Sequence, residues 1–91
     1  MTIKKLYFDA ANALVLIYPD LNFKNHCYWR IALDNMLNAK WDTVIKKPAH
    51  AHLNDDQIQS VVSLLLAYQT DLTLLKAHNL KSLNFRKKKI T

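Results

Sequence analysis

Glycine is absent from this chain. Tight hairpins and strand-rich folds rely on glycine for positive φ, so its absence argues against them and for helices. Any left-handed position falls instead to asparagine, of which there are eight. Glutamate is also missing, so all seven acids are aspartate. Only two prolines, Pro19 and Pro48, are available to break helices. One cysteine, Cys27, excludes an internal disulfide and any multi-cysteine metal site. No stretch approaches the roughly 20 apolar residues of a membrane-crossing helix. Residues 1–20 set lysines ahead of an apolar run, as a secretory leader does. Asp9 and Asn12 interrupt that run and no small-residue cleavage site follows, so a cytoplasmic protein is expected.

What is present is apolar enough for one core. Half of the 91 residues (51%) are hydrophobic, which is not the composition of a disordered chain. The net charge of +6 is uneven. Up to Phe85 there are nine Lys and Arg against seven Asp, a net of +2, and Arg86, Lys87, Lys88 and Lys89 supply the rest. This divides the chain into a helical domain over 1–85 and a basic tail over 86–91.

Ile3, Leu6, Tyr7, Ala10, Leu14, Ile17 and Tyr18 recur at three- and four-residue intervals, predicting a helix over about 2–18 that Pro19 ends. Asp20 or Asn22 is the expected cap of a second helix over about 23–38, with Asn38 as its left-handed terminator. A short helix is predicted near 41–46, stopped by Pro48. Asn54, followed by two aspartates and Gln57, has the spacing of a capping box. From there Ile58, Val61, Val62, Leu65, Tyr68, Leu72 and Leu75 form a stripe that weakens between Asn79 and Leu83. The predicted last helix covers 55–86 and is either long or kinked near Thr70. The expected fold is all-α, a small bundle of three main helices plus the short one. A continuous last helix would carry its stripe beyond the core and favour self-association.

The segment 23–45 holds both tryptophans, the cysteine and Arg30. Arg30 and Asp34 lie four apart, so they share a helix face. With Trp29 and Trp41 nearby they form the first candidate site, a surface for a protein partner, since Trp and Arg dominate interface energetics. The expected function is therefore a non-catalytic interaction or regulatory module. The alternative is nucleic-acid binding through Lys46, Lys47 and the tail residues Arg86, Lys87, Lys88 and Lys89. A third reading uses His26, His50 and His52 as metal ligands, or Cys27 as a nucleophile at a helix start. The ligand spacing of a closed zinc site and the recognisable catalytic motifs are both missing. No cofactor, catalytic residue or membrane association is assigned.

Overall fold

The computed structural model describes residues 3–87, and over them the chain is an all-α bundle without strands. Helices α1 (Ile3–Ile17), α2 (Asn25–Leu37), α4 (Asp55–Thr70) and α5 (Leu72–Lys87) form the body. A single turn, α3 (Ala49–His52), and two 3-10 turns, Pro19–Leu21 and Trp41–Thr43, join them. None of the described helices is long and apolar enough to cross a membrane.

The main packing seam runs between α1 and α4, and α2 packs on both and on α5. Tyr7, Ala10, Ala11 and Leu14 form the buried face of α1. Ile58, Val61, Val62, Leu65 and Tyr68 are the corresponding face of α4, on the 3–4 spacing that places residues on one side of a helix. Polar side chains cross-link the seam. The Tyr18 hydroxyl donates to the Tyr68 carbonyl at 2.7 Å, and Gln69 Nε2 donates to the Ala10 carbonyl at 3.4 Å. The start of α4 is the expected capping box. Asn54 Oδ1 accepts from the Gln57 amide at 2.8 Å, and Gln57 Oε1 accepts from the Asn54 amide at 2.9 Å.

The last segment takes the interrupted form. The break falls at Asp71, one residue beyond Thr70, where the backbone leaves the helical region (φ −138°, ψ 87°). Asp71, not Thr70, caps the new helix, with Oδ1 accepting from the Leu74 amide at 2.9 Å. The bend lets α5 fold back onto α2, so the last segment is not one continuous helix. The weakening of that stripe has a specific cause. Asn79, Ser82 and Arg86 continue the inward line of Leu75 at helical spacing, so α5 buries a polar face against α2. Leu80 and Leu83 lie on its exposed side.

Two expected boundaries differ. Neither Asp20 nor Asn22 caps α2, whose N-cap is Lys24 without a side-chain hydrogen bond. Pro19 initiates a 3-10 turn, Asp20 is consumed within it, and Asn22 ends it in the left-handed region at φ 58°. The short helix expected at 41–46 is only the turn Trp41–Thr43, leaving Val44 exposed, while Ala49–His52 forms a helical turn between the two predicted elements. Asn38 does end α2 at φ 56°, standing in for glycine.

Two predictions arise from buried polar groups in this framework. Tyr28 is fully buried with its ring edge-on to Phe23, and its hydroxyl has no hydrogen-bond partner among the described residues. An unsatisfied buried hydroxyl is costly, so Tyr28→Phe is expected to raise stability by about 1 kcal/mol in urea melts. A fall of similar size would show that the hydroxyl is bonded. The second concerns His78, whose Nδ1 lies 2.8 Å from the Tyr68 hydroxyl and fastens α5 to α4. Burial, and then the nearby Lys81, hold the His78 pKa below the usual 6.5. The fold therefore favours the neutral ring, while the unfolded chain takes up a proton near 6.5. The stabilising contribution is complete above that value and is lost as pH falls through the lower folded pKa. Stability measured from about pH 7.5 down to about pH 5 should fall more steeply for the wild type than for His78→Gln. Parallel slopes would contradict this.

Candidate functional site

Asp34 is the polar centre of the bundle. It is fully buried on α2 and receives four hydrogen bonds from two other parts of the chain. Arg86 of α5 grips the carboxylate with both edges of its fork, Nε to Oδ2 at 3.0 Å and Nη2 to Oδ1 at 3.2 Å. The Ser82 hydroxyl donates to Oδ2 at 2.6 Å, and the Trp41 amide donates to Oδ1 at 2.9 Å. A buried carboxylate is tolerable only when paired and bonded in this way. The ion-pair partner of Asp34 is thus Arg86, 52 residues away, and not Arg30 one turn before it.

Arg30 is held beside this pair by neutral acceptors. Its Nη1 donates to Ser82 Oγ and its Nη2 to Asn79 Oδ1, both at 2.9 Å. Burial first, and then the neighbouring Arg86, lower its pKa. The group of Arg30, Arg86 and Asp34 carries a formal charge of +1, balanced by no second acid among the described residues.

In front of the group lies a cleft of about 330 Å³. Trp29, Arg30 and Trp41 line it, with Tyr7, His26 and Lys47. One wall is a fixed aromatic stack. Trp29 lies nearly parallel to Tyr7 at 5.2 Å and edge-on to Phe8 at 5.3 Å, and its indole N–H donates to the Tyr7 carbonyl at 3.1 Å. His50 adds an edge contact to Phe8 at 5.2 Å. Trp41 is placed through its backbone by the bond to Asp34. Tyr7 stays protonated, because burial pushes its hydroxyl up to about 12.

Of the four residues expected to form a partner surface, the structure brings Trp29, Arg30 and Trp41 to one cleft, whereas Asp34 is buried and does not line it. Of the histidines, His26 and His50 line the cleft and His52 is exposed. Among the described residues no three His, Cys or Asp side chains gather as a metal site, and no hydrogen bond joins the half-buried Cys27 to a histidine. Arg86 belongs to α5 and is engaged by Asp34, Lys47 is 3.9 Å from Asp42, and Lys46 and Lys87 are exposed. Lys88 and Lys89 lie outside the described residues. Sequence reasoning missed Ser82, Asn79 and Arg86 as the support of this region. The available signal was the 75-79-82-86 spacing, which keeps these residues on the face of Leu75.

Compared with protein-family models, curated proteins and solved structures, the chain matches none.

Proposed function

We propose that the chain is a cytoplasmic, non-catalytic protein–protein interaction module that recognises its partner in the Trp29–Arg30–Trp41 cleft. The observation that carries this reading is the convergence of both tryptophans and an arginine on one concave site. Trp, Tyr and Arg are the side chains that most often anchor interfaces, because each combines a large contact area with a polar handle. The stacked and hydrogen-bonded Trp29 loses little freedom on binding, so the cost of ordering that wall is met in the fold itself. The cleft is at the small end of the roughly 300–1,000 Å³ of ligand sites, a size suited to one inserted side chain. Nucleic-acid binding has less support, since Arg86, one of its expected phosphate contacts, is already bonded to Asp34.

The test is affinity capture from the source cells with wild-type and variant chains, Trp41→Ala within the cleft and Gln59→Ala on the exposed face of α4. A specific partner should be retained by wild type and Gln59→Ala and lost with Trp41→Ala. A partner held equally by all three chains would place recognition elsewhere.

A further inference from the structure

We infer that the partner segment is acidic, setting an Asp or Glu carboxylate on Arg30 beside an aromatic or branched apolar side chain that packs on the indoles. The inference rests on the reading of the cleft as a protein-binding site. Its first support is charge. Arg30 lines the cleft and no aspartate does; Lys47 at its rim lies 3.9 Å from Asp42, and the buried acid Asp34 is already satisfied by Arg86, Ser82 and the Trp41 amide. A carboxylate brings the +1 group of Arg30, Arg86 and Asp34 to neutrality. The second support is donor capacity. Arg30 has five N–H groups and directs two of them at described residues, both to uncharged oxygens. Its guanidinium is half-buried next to another guanidinium, so an incoming anion relieves both desolvation and repulsion. The third support is shape. A cleft of about 330 Å³ walled by Trp29, Tyr7 and Trp41 takes one apolar side chain beside the carboxylate. A nucleic-acid strand instead needs a series of phosphate contacts spread along a surface.

Selection of phage-displayed random linear peptides, about a dozen residues long, on the full chain tests this, followed by titration of the selected peptide. Both tryptophans of the chain line the cleft, so intrinsic fluorescence reads its occupancy directly. The expected consensus places Asp or Glu within a few positions of an aromatic or branched residue. Replacing that acid by its amide, or Arg30 by methionine, should weaken binding about tenfold or more, the loss of a charge-assisted hydrogen bond. The peptide substitution carries the test should Arg30→Met fail to fold. Lys47→Gln, on the exposed rim, should cost a smaller factor that shrinks with added salt. Peptides that lose binding in Trp41→Ala but carry no acid, or that tolerate its amide, would overturn the acidic partner while leaving the cleft as the binding site. Peptides indifferent to Trp41→Ala would overturn the cleft itself. Oligothymidylate that quenches the indoles more strongly than any selected peptide would overturn both in favour of nucleic acid.

Discussion

Replacing Asp34 with alanine is expected to cost about 3–5 kcal/mol of folding stability, the range for removing one partner of a buried ion pair. The carboxylate is inaccessible to solvent and joins three parts of the chain: α2, α5 and the Trp41–Thr43 turn. Without it, Arg86 and Arg30 face one another with no counter-charge, and the Ser82 hydroxyl and the Trp41 amide each lose an acceptor. Total stability for a domain is on the order of 5–15 kcal/mol, so the loss takes a large fraction of it. Urea unfolding reads the change. Asp34→Asn in an Arg86→Met background should cost less than the sum of the single substitutions, since removing both charges leaves no ion buried alone. Asp9→Ala is the contrast. Its pair with Lys5 is 2.8 Å long but more than half exposed on both sides (60% and 52%), and the expected change is about 0.5 kcal/mol or less. An Asp34→Ala cost as small as that would show that the buried group does not hold α5 to α2.

The second large effect is expected from Leu14→Ala, at about 2–5 kcal/mol. Leu14 is fully buried on the core face of α1, whose main neighbour is α4. Truncation removes apolar burial and leaves a cavity that flanking helices fill only in part. Two residues on, Leu16 is 81% exposed, and Leu16→Ala should change stability by no more than about 0.5 kcal/mol. Thermal or urea melts of the two variants test the helical phase of α1. Equal costs would contradict the burial pattern.

The parts of the fold that were legible in the sequence depend on local physics. The apolar period of residues 58–68, the Asn54–Gln57 box and the left-handed Asn38 each involve residues within a turn or two of one another, and each is found. Asp20 and Asn22 show how local signals compete. Both are good caps, yet Pro19 draws them into a 3-10 turn before α2 begins. The site was legible in its residue types and not in its connections. Trp29, Arg30 and Trp41 stood out as an unusual mixture, and they do share a cleft. That Asp34 bonds Arg86 depends on α5 folding back across 52 residues, which no spacing rule within α2 reveals. Arg86 sat in a run of cations and read as a tail. Its role follows only from its place on the face of Asn79 and Ser82, where polar residues looked like the end of a stripe rather than its continuation. The turn Ala49–His52 was missed because its four residues are too few to set a period.

The most direct measurement is a two-dimensional 15N–1H spectrum of the labelled protein, followed while an acidic–aromatic peptide from the selection is added. The largest shifts are expected at the indole N–H signals of Trp29 and Trp41 and at the Arg30 side chain, with the amides of Lys76, Leu80 and Leu83 on the exposed side of α5 unmoved. Shifts concentrated on α5 with both indoles unchanged would contradict recognition in the cleft.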